Sequence, residues 1–224
     1  MNDFEKFAVS RNIGTNKLDG YSKYLLKSGY INPTILEERQ LNVVGVDVFS
    51  RLMYDKIIFL GTAIDSDVAN IVNAQLLYLN SISDKTDDIK MFINSPGGSV
   101  IDGLSIYDTM NFIDPDVSTY CMGLAASMGS ILVSSGAKGK RYSLPHGSVM
   151  IHQVSNGIGH AQCADIQIMA NETKKIQDVL YRILAENTGK TFEEIERDAD
   201  RDHWMSAEEA VQYGLLDEII RKTK

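Results

Sequence analysis

Residues 117–129, which read VSTYCMGLAASMG, decide the fold. The first seven are typical of a buried strand, and the small residues after them predict a sharp turn into a helix that ends near residue 135. The same succession of strand, turn and helix also occurs earlier in the chain, with a strand at 89–94 (IKMFIN), a turn at 95–98 (SPGG) and a helix at 100–113. Short apolar strands that alternate with helices predict an α/β fold with right-handed crossovers and a mostly parallel sheet.

Further elements extend this pattern in both directions. Asp65 is a candidate N-cap for a helix at 65–81, whose apolar residues have helical spacing. A helix at 161–187 is expected to turn its apolar residues inward. The other predicted elements are a short helix at 47–54, strands at 56–61, 117–123, 140–144 and 148–154, and capping boxes at Thr191/Glu194 and Ser206/Glu209. The residues predicted on inner faces are Val68, Ile71, Val72, Leu76 and Leu79 in the first helix, and Ile166, Ile168, Met169, Ile176, Val179, Leu180 and Leu184 in the long one.

The chain divides into two regions by composition. Residues 1–42 are polar with scattered glycines, and we interpret them as a leader or propeptide and N-terminal segment. The regular apolar pattern starts at Val43, so residues 43–224 are predicted to form a single domain.

The overall composition excludes several function classes. The 224 residues include 22 Lys and Arg against 30 Asp and Glu, a net charge of −8, which disfavours nucleic acid or an anionic membrane as partner. The apolar runs are far shorter than the ~20 residues that span a bilayer. The two cysteines show no metal-ligand spacing, and the first residues lack an apolar signal core. We therefore expect a cytoplasmic protein.

Two strand ends have unusual chemistry, and ligands gather at the carboxyl ends of parallel strands. At residues 95–98, two glycines after a proline allow the backbone N–H groups to face a ligand. A tight turn without function explains this segment equally well. At residues 123–129, Ser127 stands among small residues where a strand passes into a helix, as in a nucleophile elbow. The alternative is that Ser127 only caps the helix.

A nucleophilic serine needs a base and an orienting acid. His152 lies in an apolar strand pattern, where an unpaired ring would be costly, although a structural role remains open. His146, His160 and His203 are expected to be solvated. The acidic run at 196–202 is typical of an exposed helix face, but Asp202 stands next to the apolar stretch that starts at Trp204.

Five segments together resemble the proteolytic subunits of Clp proteases (ClpP). They are INSPGGS at 93–99, SIYDTM at 105–110, CMGLAASMGS at 121–130, VMIHQ at 149–153 and ERDADRDHWMSAEEAVQYGLLDEI at 196–219. The resemblance implies an α/β fold of repeated β-β-α and βαβ units of the Clp/crotonase type, with a protruding helix–strand handle. It also implies Ser127 as nucleophile, His152 as general base and Asp202 as orienting acid, with the N–H groups of Gly98 and Met128 as the oxyanion hole.

The resemblance further implies the assembly and the partners. Two stacked seven-membered rings would enclose the sites and degrade unfolded polypeptides to short peptides, in protein quality control. A hexameric unfoldase ATPase would use the ATP, so this chain is expected to need no cofactor and no metal. Hydrophobic loops of the unfoldase are expected to dock on pockets at the ring surface of this chain. These pockets are expected to contain Phe92, Phe112, Tyr120, Tyr142 and Leu144. Aromatic residues in strands can equally belong to a core.

Three other functions stay open at this point. A crotonase-type acyl-CoA enzyme shares the fold class and its glycine-rich turns but does not need the three polar residues. A catalytically silent structural subunit of a mixed Clp ring would keep the fold without the chemistry. A scaffolding protein would not need an elbow at Ser127.

Overall fold

The structure, a computed structural model, describes residues 34–39, 42–83, 87–157 and 159–222. The chain divides into two compact units between Arg51 and Leu52. The predicted division into a leader at 1–42 and a domain at 43–224 stays a prediction, because most of the leader lies outside the described residues.

The first unit contains an antiparallel pair of strands, β1 (Thr34–Arg39) and β2 (Asn42–Asp47). Helix α1 (Val48–Tyr54) follows at once, and the boundary between the units falls within it. Asp47 accepts a hydrogen bond from the Ser50 backbone N–H at 3.0 Å, which caps the start of this helix.

The second unit is an α/β structure, as the sequence predicted. Its described strands are β3 (Ile57–Leu60), β4 (Ile89–Ser95), β5 (Val117–Ala126), β6 (Arg141–Ser143), β7 (Ser148–Ile151), β8 (His203–Ser206) and β9 (Glu218–Ile219). Its helices are α2 (Ser66–Ile82), α3 (Val100–Phe112), α4 (Met128–Ser134), α5 (Cys163–Thr188), α6 (Phe192–Asp198) and α7 (Ala207–Tyr213).

The sheet has the order β3-β4-β5-β6-β9, and all these neighbours are parallel. It forks at β5. The first half of β5 pairs with β6, and its second half, residues 124–126, pairs in parallel with β7. Strand β8 then pairs antiparallel with β7. The fork matters for function because it brings the end of β5 beside the end of β7.

Most predicted elements occur within two residues of their expected bounds, and both capping boxes are present. Two strand ends were wrong. Strand β5 continues to Ala126 instead of Gly123, because β7 supplies hydrogen-bond partners for the small residues. Strand β7 ends at Ile151 instead of Val154, because its pairing with β5 ends at Met150 and its pairing with β8 ends at Ile151.

The prediction for the inner face of α5 was wrong in its first half and at Val179, which is 40% exposed. Leu180 and Leu184 are buried as expected, but Ile168 is 66% exposed and Ile166 is also exposed. The first half of α5 therefore extends away from the core of its own chain. In α2, Ile71 was likewise predicted to face inward and is 60% exposed.

The C-terminal part of the chain is fixed by a buried ion pair. The Arg141 guanidinium, on β6, donates to both carboxylate oxygens of Asp217 and to the backbone carbonyls of Asn187 at 2.8 Å and Gly214 at 2.9 Å. Arg141 is 6% exposed. Burial opposes ionisation of Asp217, but the hydrogen bonds from Arg141 outweigh it and hold the pKa of this carboxyl below its usual value.

None of the described helices combines the length and the apolar character that crossing a bilayer requires.

Candidate active site

The strand register brings three sequence-distant residues together. In the parallel pair β5–β7, Ala126 lies opposite Met150, so Ser127 follows one strand end and His152 the other. In the antiparallel pair β7–β8, Ile151 lies opposite His203, so Asp202 comes beside His152. Nucleophile, base and acid candidates thus stand at the ends of three adjacent strands.

Their side chains form one hydrogen-bonded chain. Ser127 Oγ lies 2.8 Å from His152 Nε2, and His152 Nδ1 lies 3.2 Å from Asp202 Oδ1. The serine hydroxyl does not cap helix α4, which removes the main alternative interpretation of Ser127. The arrangement has the geometry that a serine nucleophile, a general base and an orienting acid require.

The backbone of Ser127 is strained in a way typical of such a nucleophile. Its φ of 53° and ψ of −122° lie outside the regions that L-residues favour. Its N–H donates to the Met150 carbonyl at 2.9 Å, which holds the turn against β7. The hydroxyl is thereby presented at the point where the strand enters the helix, as the sequence predicted.

The turn at 95–98 lies directly against this elbow. Gly97 has a φ of 91°, and a Cβ on it would come within 2.6 Å of Ser127 Cβ. Only glycine allows this approach. Within the described residues, the backbone N–H groups of Gly98 and Met128 have no hydrogen-bond acceptor, so both are free to bind an oxyanion.

A cleft opens beside Ser127 and His152. Its walls include the apolar residues Val100, Ile131, Leu180 and Leu184, together with Gln153 and the exposed Ser155. An apolar side chain of a bound polypeptide could be placed there with its backbone near Ser127.

The other candidate nucleophiles and bases lie elsewhere. His146 and His160 are exposed, as expected. The expectation for His203 was wrong, because it is half-buried and packs edge-on against the Tyr213 ring at 5.6 Å. Burial raises the pKa of the Cys121 thiol to about 11, so this thiol stays protonated and is a poor nucleophile.

Sequence reasoning missed one polar contact at the site. The Gln153 side-chain amide donates to the Asp200 backbone carbonyl at 2.7 Å. In the sequence, only position could have indicated this contact, because Gln153 follows His152 and Asp200 precedes Asp202 by two residues.

The candidate docking residues fall into two groups. Phe92, Tyr120 and Tyr142 are half-buried and stack across three neighbouring strands, with ring centroids 4.5 and 5.0 Å apart. Lys90 is exposed on the same side of β4, so this face points outward. Phe112 is 77% exposed, and Leu144 is half-buried.

Comparison with known proteins shows the family of this chain. A family model described as Clp protease matches residues 40–223. A protein of Porphyromonas gingivalis, named ATP-dependent Clp protease proteolytic subunit, is 52% identical over the full length of both chains. Two proteins of the same name from different Bacteroides fragilis strains are 53% identical over 99% of this chain and 100% of the relative, and 57% identical over 88% and 94%.

Proposed function

Since the chain belongs to the Clp protease family, we propose that Ser127, His152 and Asp202 carry out its peptide hydrolysis. The chain is a serine peptidase, the proteolytic core of an ATP-dependent Clp protease. The observation that carries the assignment of roles is the hydrogen-bonded chain from Ser127 Oγ through the imidazole of His152 to the carboxylate of Asp202.

The reaction is acyl transfer. His152 Nε2 takes the proton of the Ser127 hydroxyl while Oγ attacks the peptide carbonyl carbon. The N–H groups of Gly98 and Met128 donate to the oxyanion that forms. His152 then gives its proton to the leaving amine, and water hydrolyses the acyl-enzyme in the same way. These steps use only side chains, backbone and water, so we propose that this chain needs no cofactor.

The substrates are unfolded polypeptides, cut to short peptides. The cleft supports this, because its apolar walls suit one side chain of an extended chain and leave the backbone at Ser127. The alternative crotonase-type activity is not favoured by the relatives. The aligned triad argues against a catalytically silent subunit.

Assembly into two stacked heptameric rings is part of the proposal. Its support on this chain is the exposed apolar surface on the first half of α5, which includes Ile166 and Ile168. Such residues are costly to leave in water and are typical of an interface.

The partner is a hexameric Clp-family unfoldase that uses ATP. The name shared by the relatives includes ATP dependence. The outward aromatic face of Phe92, Tyr120 and Tyr142 supports a hydrophobic docking site, and Phe112 is a further exposed aromatic residue of this chain. The cytoplasmic location is supported by two free cysteines, as expected in a reducing compartment.

The test of the active-site assignment is a pair of serine variants. Ser127→Ala should abolish short-peptide hydrolysis and labelling by a fluorophosphonate, because loss of the nucleophile typically lowers kcat by about six orders of magnitude. Ser155→Ala, a serine of the same cleft without a base beside it, should keep both. Labelling that persists in Ser127→Ala would show that another residue is the nucleophile.

A further inference from the structure

We propose that Gln153 is a positioning residue that holds Asp202 against His152. The proposal rests on the roles given above to Ser127, His152 and Asp202. It concerns the segment 199–202, which joins the end of helix α6 to the start of strand β8 and carries the acid.

This segment has little support of its own near the acid. Asp202 lies one residue outside β8 and its side chain is 58% exposed, so packing does not fix it. Ala199 is buried at the end of α6, and His203 is fixed by its pairing with Ile151. Arg201 also donates to the Asp200 carbonyl at 2.7 Å and pairs with its carboxylate, but both side chains are exposed and belong to this same segment, so these contacts contribute little to its position.

The Gln153 hydrogen bond ties this segment to the base. His152 and Gln153 are neighbours on one segment, and Asp200 and Asp202 lie two residues apart on the other. The two segments meet twice, through the imidazole and carboxylate at 3.2 Å and through the Gln153 amide and the Asp200 carbonyl at 2.7 Å. Because the second contact joins the two backbone segments next to the first, it limits the positions that Asp202 can take relative to His152.

Such a restraint matters because an exposed carboxylate is oriented only weakly by its charge. Screening by water reduces its attraction to the imidazole. Catalysis by the triad needs the carboxylate to keep His152 in the correct tautomer and orientation. The restraint therefore has to come from geometry, and Gln153 supplies it at the Asp200 carbonyl, two residues before the acid.

A competing role for Gln153 is contact with substrate, because the residue also lines the cleft. The two roles differ in the step they affect. Positioning changes the reactivity of Ser127 toward any acylating reagent, whereas substrate contact changes the binding of peptides. A reagent too small to reach the peptide sites separates them.

The experiment measures kcat and KM for a short peptide and the rate constant of inactivation by diisopropyl fluorophosphate. Gln153→Met keeps the length of the side chain and removes the donor, and Gln153→Glu is a second variant without it. We expect kcat and the inactivation rate to fall together by about threefold to tenfold, as one lost hydrogen bond allows. KM should stay within about twofold of wild type, since the binding of the peptide itself is unchanged. Gln212→Met, the same replacement at an exposed glutamine of helix α7 outside the cleft, should change neither rate.

A double-mutant cycle identifies the route of the effect. In an Asp202→Asn background, Gln153→Met should cause no further loss of either rate, because the carboxylate that it orients is absent. The proposal is overturned if Gln153→Met raises KM and leaves the inactivation rate unchanged, or if its effect is the same with and without Asp202. If Asp202→Asn alone leaves both rates at the wild-type level, the triad assignment itself is wrong, and the proposal for Gln153 falls with it.

Discussion

Replacing Ser127 by glycine should leave the protein more stable than replacing it by alanine. Both variants lack the hydroxyl and should be inactive, so they differ only in the Cβ atom. At φ 53° and ψ −122°, a residue with a Cβ carries strain that typically costs about 1–3 kcal/mol. Glycine removes this strain but loses about 1 kcal/mol through its greater freedom in the unfolded chain.

The two effects can be weighed against each other. Loss of a half-buried Cβ takes away less than about 0.8 kcal/mol of apolar burial. With central values, the glycine variant comes out slightly more stable, by up to about 1 kcal/mol at high strain. Without strain, the same change would destabilise it by roughly 1–1.5 kcal/mol relative to alanine, so the sign of the difference carries the information.

The measurement is the melting temperature of both variants at one protomer concentration, because assembly makes stability depend on concentration. A difference of 1 kcal/mol corresponds to about 2–4 °C in a domain of this size. Ser130 in helix α4 has ordinary helical geometry and provides the control, where Ser130→Gly should melt below Ser130→Ala by about that amount. If Ser127→Gly also melts 2–4 °C below Ser127→Ala, about the same as the control pair, the elbow is not strained.

Three further predictions concern stability, assembly and docking. Arg141→Met should destabilise the protein by about 3 kcal/mol, the low end for breaking a buried ion pair, because it leaves the half-buried Asp217 carboxylate without its partner; urea unfolding measures this. Folding lowers the pKa of Asp217, so the stability gained from this pair is complete above about pH 4 and is lost as the pH falls further. Below about pH 4, wild type should therefore lose more stability than Arg141→Met. Ile168→Glu should halve the mass of the particle in analytical ultracentrifugation and leave the circular dichroism spectrum of the folded protomer unchanged, since Ile168 is exposed on its own chain. An unchanged mass would contradict the role of α5 in joining rings. Tyr142→Ala should spare short-peptide hydrolysis and impair unfoldase-driven degradation of a folded protein, whereas loss of both activities with a lower melting temperature would mean that Tyr142 belongs to the core.

Much of the fold was predictable because local signals and the global structure agree. The N-cap Asp65 accepts from the Val68 N–H at 2.9 Å, and both capping boxes close as their spacing predicts. The face of the long helix was not predictable in the same way. Periodicity indicates that Ile168 lies on an apolar stripe, but it does not indicate whether that stripe meets the core of the same chain or another surface.

At the active site, the residue types were predictable from the sequence, but the strand pairing that brings them together was not. Small residues around Ser127 predicted the elbow, because only they permit a sharp turn with an exposed hydroxyl. The choice of Asp202 from the acidic run at 196–202 came from its place beside an apolar stretch, and the antiparallel pairing of β8 with β7 explains why that place is correct for contact with His152. No local pattern distinguishes β5 from other strands as the one at which the sheet forks, so the closeness of Ser127 and His152 could not be derived from spacing alone.

The Gln153 contact marks the limit of what residue types can indicate. A glutamine after a histidine has many possible partners, and its partner here is a backbone carbonyl, which any residue would offer at position 200. Sequence can therefore point to the groups that react, because their chemistry restricts them to a few residue types. The groups that only hold them in place act through the backbone, and only the folded register identifies them. For Asp202, which is exposed and lies outside regular structure, these supporting contacts determine whether the carboxylate stands where His152 needs it.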